Sequence, residues 1–297
     1  MDAIYVILTV IAGLALLYIL WCLTEPFFLD MDKAVLKKSS REDPIINNIV
    51  VNKLPMTPTD AGSTPDLRFF FFSDIHAEWC PVNAKRICNA IRSSHEASSL
   101  DGVIFGGDII TYPRNSARGF RYINEVSSCC KELGIPFYGI TGNHDVYFDD
   151  FAEKAGFLGI DNIALPLTSK KSGKKVFLAG VPDSGTRKLV WPDMPSCEGD
   201  SPVILVAHDP DTLIHIEPGK RPDFMLSGHL HGGQMKFPFK VEFRVLRKKD
   251  KLPNMGAVQG VFDISGTTVF ISRGLGCGIM PFRFLSVPEA TVVEICL

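Results

Sequence analysis

The chain opens on an uncharged apolar run, Ala3 to Thr24 (AIYVILTVIAGLALLYILWCLT). A helix of that length spans the about 30 Å hydrocarbon core of a bilayer, and the pattern predicts a membrane anchor over residues 1–24. A cleaved signal peptide wants a basic start and a small-residue cleavage site, whereas this run begins Met1-Asp2 and leads into Leu23-Thr24-Glu25-Pro26. From Glu25 to Pro65 the pattern turns polar and charged, punctuated by Pro44, Pro55, Pro58 and Pro65, and only Ile45 to Leu54 has strand character. Residues 25–65 therefore read as a juxtamembrane linker with room for one edge strand, ahead of a catalytic domain over 66–297.

Within that domain, runs rich in β-branched and aromatic residues alternate with amphipathic stretches. Strands are predicted at Leu67–Ser73, Gly102–Gly106, Pro136–Thr141, Lys175–Val181, Val203–Ala207, Phe224–Ser227, Thr268–Ser272 and Ala290–Cys296. Helices are predicted at Asn83–Glu96 with Asn83 as cap, at Ser116–Leu133 stopped by Gly134, and at Asp149–Gly156. Strand–helix–strand units followed by strands alone indicate an α/β core of two packed sheets.

Charge and cysteine usage refine this picture. The net charge of −2 gives no global field for nucleic acid. Lys33, Lys37, Lys38 and Arg41 follow the anchor while no base precedes it, which places the domain on the cytoplasmic side by the positive-inside rule. Eight cysteines, one inside the anchor and two adjacent at Cys129-Cys130, suit a reducing compartment, and no Asn-x-Ser/Thr sequon occurs.

The chemistry lies in short blocks that end the apolar runs: Asp74-Ile75-His76, Gly107-Asp108, Gly142-Asn143-His144-Asp145, Ala207-His208-Asp209 and Gly228-His229-Leu230-His231. They hold five of the seven histidines; His95 and His215 fall outside and read as surface or packing residues. If these blocks continue as strands, Asp74 with His76, and His229 with His231, share a side and present ligand pairs toward one point. Imidazole with carboxylate, and no thiolate, is a set for Mn, Fe, Zn or Co. A carboxylate such as Asp108 has two oxygens with which to bridge two ions, and Gly106-Gly107 leaves room for the backbone to approach them. Two ions about 3.5–4 Å apart would clamp a phosphoryl oxygen and activate a water. Each block alone is weak and suits a turn or a structural pair; the ordered set is far more specific.

That ordered set resembles the calcineurin-like metallophosphoesterases. Together with the anchored N-terminus, Ala207-His208-Asp209-Pro210-Asp211, Ser227-Gly228-His229-Leu230-His231-Gly232-Gly233-Gln234 and Ser272-Arg273-Gly274-Leu275-Gly276, it is similar to their membrane-anchored bacterial subgroup. The resemblance implies a four-layer αββα sandwich behind an N-terminal transmembrane helix. It implies two divalent ions, Mn²⁺ first with Zn²⁺ or Fe²⁺ as alternatives. Asp74, His76 and His231 would hold one ion, Asn143, His208 and His229 the other, and Asp108 would bridge them. His144 would act on the phosphate or leaving oxygen rather than on metal. Two departures stand out: Ala77-Glu78-Trp79 replaces the glycine common after the first motif, and Gly107-Asp108-Ile109-Ile110 lacks the Asp-Arg-Gly continuation of the protein phosphatases, which speaks against protein phosphatase activity.

Substrate contacts are expected from Arg114, with Arg118 and Arg121 behind it, because guanidinium binds phosphate bidentately. Met235 to Leu252 (MKFPFKVEFRVLRKKDKL) interleaves Phe237, Phe239 and Phe243 with bases including Arg244, a composition that fits an anionic membrane surface; a solvated hairpin or a nucleic-acid patch would have similar composition. The stretch from Trp191 to Ser201 reads as a loop, roofing the site or exposed. The expected function is hydrolysis of a lipid-linked phosphate at the bacterial inner membrane. By similarity to a chlamydial type of the subgroup, the foremost substrate is UDP-2,3-diacylglucosamine, cleaved to lipid X and UMP in lipid A synthesis. The alternatives are a phosphodiesterase or phosphomonoesterase on another phospholipid, nucleotide or cell-wall lipid, and an inactive membrane-tethered scaffold.

Overall fold

In a computed structural model, which describes residues 3–39, 49–58, 64–183 and 201–297, two sheets pack face to face. The first has six strands, in the order β1 (Asp30–Lys37), β13 (Glu289–Cys296), β3 (Leu67–Phe72), β4 (Gly102–Phe105), β5 (Phe137–Gly139) and β6 (Leu158–Gly159). The second has seven, in the order β2 (Val51–Leu54), β11 (Gly260–Ile264), β12 (Thr267–Ile271), β10 (Phe224–Ser227), β9 (Val203–Ala207), β8 (Lys175–Val181) and β7 (Ile163–Thr168). Strand β3 shows why the layers form. Successive side chains of a strand point to opposite faces, so Phe69 and Phe71 enter the core between the sheets while Phe70 and Phe72 face the helices. Both faces are covered, and the strand accordingly reads as an unbroken apolar run.

Helices α2 (Ala84–Ala97), α3 (Ser116–Leu133) and α4 (Phe151–Ala155) cover the first sheet, with Ile87, Ile91, Ile123, Val126 and Phe151 in that core. The predicted signals operate: the Asn83 side chain accepts from Arg86 N at 2.9 Å, and Gly134 ends α3 in the left-handed region at φ 66°. Among the described residues, short helical turns rather than long helices lie against the outer face of the second sheet. They bring Leu213, Ile216, Phe243 and, from α5 (Lys251–Met255), Leu252 onto Met225, Val269 and Ile271. The layering is αββα. Helix α1 (Ala3–Thr24) projects from it with its apolar surface exposed, and is long and apolar enough to cross a membrane.

Three expectations need correction. Residues 25–65 are not simply a linker: β1 pairs in parallel with β13 along eight residues, burying Ala34, Val35 and Leu36, and β2 pairs with β11. Strand β1 was hidden because it is an edge strand whose outer positions are charged, and its hydrogen bonds come from a remote partner. The part of Ile45–Leu54 before residue 49 lies outside the described residues, as does most of the Trp191–Ser201 loop. Strand β7, with Pro166 within it, and β11 went unpredicted; proline is tolerated in β7 because it is an edge strand. Finally, Phe243, expected among membrane-facing aromatics, is a core residue.

Candidate metal centre

Every predicted ligand, and the proposed acid His144, lies just beyond the carboxyl end of a strand: Asp74 and His76 after β3, Asp108 after β4, Asn143 and His144 after β5, His208 after β9, His229 and His231 after β10. The strands β3, β4 and β5 run parallel, as do β9, β10 and β12, so one rim of the sandwich gathers all these loops. The loop after β12 ties the two sheets together there, Leu275 N donating to Ser73 O at 3.0 Å and Gly276 N to Asp74 O at 2.7 Å.

The ligands converge, but not by strand alternation. Asp74 (φ 52°), His76 (38°), Asp108 (66°), His229 (68°) and His231 (50°) are all left-handed, so the chain coils at these five positions instead of continuing the pleat. Such conformations cost of order 1 kcal/mol or more each for non-glycine residues and cluster at functional sites. Glycines make the crowding tolerable. A Cβ on Gly142 would lie 2.2 Å from Asp108 Oδ1, and one on Gly107, at φ 96°, would lie 2.8 Å from His208 Nδ1.

Asp74, His76 and His231 bring ligand atoms within 4.8 Å of one another, as do Asp74, Asp108 and His208, so the two groups share Asp74. His208 Nε2 is 3.2 Å from Asp108 Oδ2, which is 3.6 Å from His76 Nε2; His231 Nε2 is 3.5 Å from Asp74 Oδ1. The His229 ring lies 5.0 Å from that of His208, and the His144 ring 5.2 Å from that of His76.

The partners on the far side of each ring set its tautomer. His208 Nδ1 faces Gly106 O at 2.7 Å, His231 Nδ1 faces Gly276 O at 3.2 Å, and His144 Nδ1 faces Thr111 O at 2.9 Å. A carbonyl only accepts, so each Nδ1 carries the hydrogen. Thr111 Oγ1 donates to Gly278 O at 2.8 Å and so accepts from His76 Nδ1 at 3.0 Å. In the neutral ring each Nε2 then keeps its lone pair, the arrangement of metal-binding imidazoles. His76 Nε2, His208 Nε2 and Asn143 Oδ1 are buried without a hydrogen-bond partner. Buried polar atoms are ordinarily paired, and such atoms on residues of one rim fit a divalent cation.

Electrostatics follow from the same crowding. Burial alone would raise the Asp108 carboxyl, but the His208 and His76 imidazoles hold it far below the usual carboxylate range. Burial depresses His76, and depresses His229 and His231 strongly, whereas Asp108 and Asp74 outweigh burial at His208 and raise it. Burial, then the charge of Asp108, push Asp145 up to about 8.

Several residues at the rim escaped the sequence reading. Asp145 accepts from Asp108 N (2.6 Å), Ile109 N (2.9 Å) and Gly142 N (3.0 Å), fixing the turn that carries Asp108; its place ending the Gly-Asn-His-Asp block was the available signal. Glu78, in the departure from the family pattern, accepts from Tyr112 N and Asn115 Nδ2, both at 2.9 Å, and so holds the Thr111 loop. Arg247 Nη1 donates to His229 O at 3.1 Å and Nη2 contacts His229 Nε2, so the base that the Met235–Leu252 segment brings to the centre is Arg247, while Arg244 is exposed. Arg283, fully buried, donates to Ser286 O, Arg273 O and Gly276 O, the last also the partner of His231. Arg114 is exposed and stacks on Tyr112 with its guanidinium 5.0 Å from the ring centre; Arg118 and Arg121 are exposed on α3, and Phe237 and Phe239 are exposed beyond Gln234. His95 Nδ1 accepts from Leu100 N, a packing role.

Residues 67–233 match the family model described as calcineurin-like phosphoesterase. The chain is 25% identical over 258 residues to an uncharacterized metallophosphoesterase, YkoQ, of Bacillus subtilis, covering 84% of this chain and 91% of that one. It is 25% identical over 240 residues to the phosphodiesterase YaeI of Escherichia coli, covering 77% and 82%. A transmembrane protein with metallophosphoesterase domain from Danio rerio is 27% identical over 266 residues, 82% of this chain and 55% of that one. With more than half its length matched and this metal-binding rim in place, the chain belongs to the calcineurin-like phosphoesterase family and is a metallophosphoesterase, a hydrolase.

Proposed function

We propose that the protein is a membrane-anchored, dinuclear phosphoesterase that hydrolyses the pyrophosphate of UDP-2,3-diacylglucosamine to lipid X and UMP. The observation that carries the membrane part of this reading is placement: the exit of the apolar helix α1 is bonded to the loop that supports His231, through Glu25 and Ser286. A substrate with acyl chains would meet the ligands without leaving the lipid boundary. Asp74, His76 and His231 would hold one ion in this reading, Asn143, His208 and His229 the other, and Asp108 would serve both. When bound, such a pair supplies Lewis-acid activation of water and of the phosphoryl oxygen, and Mn²⁺ is the favoured metal with Zn²⁺ or Fe²⁺ as alternatives.

The protein's own groups do the rest. His144, held through Nδ1 by Thr111 O, keeps Nε2 for proton delivery to the leaving oxygen. Arg247, engaged with His229 through both Nη atoms, positions that residue, and Arg114 stands at the exposed margin as the proposed phosphate contact. Phe237, Phe239 and Arg244 are proposed acyl and headgroup contacts, and the anionic membrane surface is the macromolecular partner, with no nucleic acid. Lys33, Lys37, Lys38 and Arg41 after α1 support a single pass through the bacterial inner membrane with the catalytic domain cytoplasmic. A second reading, a phosphodiesterase acting on another lipid or nucleotide ester, draws on the name of the Escherichia coli relative.

The test is Mn²⁺-dependent UMP release from UDP-2,3-diacylglucosamine in detergent micelles by the full chain, beside His144→Ala. Release that depends on His144 supports the lipid A reaction. Hydrolysis of a generic diester with no UMP release discards it in favour of the second reading.

A further inference from the structure

We propose that the mouth of the metal centre is itself a lipid-contacting surface, in which Ile279 and Met280, with Phe27 and Phe28, enter the bilayer boundary beside the spanning helix. The inference rests on the reading of α1 as a membrane anchor. Its occupant is the headgroup–acyl boundary of the same bilayer.

The first observation is that α1 leaves the fold from a fixed point. Arg283 N donates to Cys22 O at 3.1 Å, and the Tyr18 ring packs edge-on against Phe284 at 4.7 Å between centroids. The Glu25 carboxylate, completely buried, accepts from Leu285 N at 2.8 Å, from Ser286 N and from Trp21 Nε1. The helix therefore sets where the lipid surface lies relative to the 279–286 loop, as a flexible tether would not.

The second observation is what that loop shows at its tip. Ile279 is 74% exposed and Met280 52%, and residues 274–282 carry no charge. Directly after the helix in the chain, Phe27 is 61% and Phe28 55% exposed, with Phe27 O held by Arg86 Nη1 at 2.8 Å. Neighbouring large apolar side chains left in water mark an interaction surface. Their position beside a helix made for lipid selects the bilayer over a protein partner. The bases Lys240, Arg244, Lys248 and Lys249 in the Met235–Leu252 segment suit anionic headgroups around such a contact.

The third observation joins tip to centre. Gly278 N donates to Gln234 Oε1 at 2.9 Å and Gln234 Nε2 to Met280 O at 3.0 Å, while Gly278 O accepts from Thr111 Oγ1, the partner of His76. The apolar tip is thus bonded to both sides of the ligand rim, and its insertion would seat the rim at the interface. Because α1 already holds the tip at the membrane, the contact needs little affinity of its own.

The test uses nitroxide labels on the full chain in nanodiscs containing anionic lipid, with Cys80, Cys197 and Cys296 replaced by serine. Single cysteines are placed at Leu14 in α1, at Ile279, and at Lys170 in the exposed β7–β8 hairpin at the opposite end of the sheet. Collision with oxygen is compared with collision with a water-soluble nickel chelate. The expected result is an oxygen-to-nickel ratio several-fold higher at Ile279 than at Lys170, approaching that at Leu14. A lipid-like ratio at Leu14 with a water-like ratio at Ile279 overturns this proposal and leaves the anchor. Shielding of Ile279 from both agents means a protein covers the tip, and also overturns it. A water-like ratio at Leu14 overturns the anchor reading together with the proposal.

Discussion

Replacing Thr111 by valine should weaken one metal site and spare the proposed general acid. The threonine hydroxyl donates to Gly278 O at 2.8 Å and accepts from His76 Nδ1 at 3.0 Å, and the residue is nearly buried. Valine keeps the shape and removes the oxygen, leaving the His76 N–H unsatisfied and its ring free to turn. Loss of an outer partner of a metal-bound imidazole costs about 10–100-fold in metal affinity, or roughly 1.4–2.8 kcal/mol. The backbone carbonyl of residue 111 still takes the His144 N–H at 2.9 Å, so turnover at saturating metal should fall far less than in His144→Ala. The assay is Mn²⁺ titration of chelator-stripped, full-length protein by calorimetry, with Thr111→Ser as the variant that keeps the hydroxyl. Two transitions are expected, with only one displaced in the valine variant and neither in the serine variant. Unchanged affinity in valine, or equal loss of both transitions, would refute the assignment of His76 to one ion through this hydrogen bond.

Other outcomes are equally specific. His144→Ala should lower turnover by about 10²–10⁴ while metal content stays near that of the wild type, whereas Asp108→Ala should lose both; elemental analysis beside kinetics decides, and equal metal loss in the two contradicts the division of roles. Gly142→Ala drives a Cβ to 2.2 Å from Asp108 Oδ1 and should abolish metal retention with the circular dichroism of the fold intact, while Gly134→Ala, where nothing lies within 4 Å, should cost only about 1 kcal/mol of stability and leave metal binding alone. Burial tends to raise the Asp66 carboxyl, but Ser172, the Leu297 N–H at 2.8 Å, Lys174 and Lys171 prevail and lower it from 3.8. A depressed carboxylate contributes stability that is present above 3.8 and lost as pH falls through the folded-state value. The melting temperature of Asp66→Asn should therefore trail the wild type at pH 7, with the gap closing in acid; a constant gap contradicts the linkage.

The ligand blocks were legible because their chemistry is local: residue type and spacing are written consecutively in Gly142-Asn143-His144-Asp145 or His229-Leu230-His231. Helix α3 was legible for the same reason, its apolar period and its Gly134 stop both lying in one stretch. What was not legible arises from approach in space. The left-handed turn at Asp74 is held by a main-chain bond from Gly276, and the ring of His231 by the Gly276 carbonyl, about 200 and 45 residues away in the chain. Arg247 was one base among seven until the fold set it against His229, and Glu78 appeared only as a departure from a pattern until its carboxylate met the N–H groups of residues 111 and 112. Strand β1 is the clearest case, since half of what makes it a strand is β13.

That pairing also orders the protein's birth. Asp30–Lys37 and Glu289–Cys296 are neighbours in the sheet but about 260 residues apart in the chain. At about 5–20 residues per second, a ribosome that has made β1 needs roughly 10–50 s to supply its partner. Throughout that interval β3 lacks a neighbour on the same side, because β13 sits between β1 and β3. The first sheet thus closes late, around a strand threaded between two that have waited for it. Until then the polar outer positions Asp30, Asp32 and Lys33 help keep the waiting edge from pairing elsewhere.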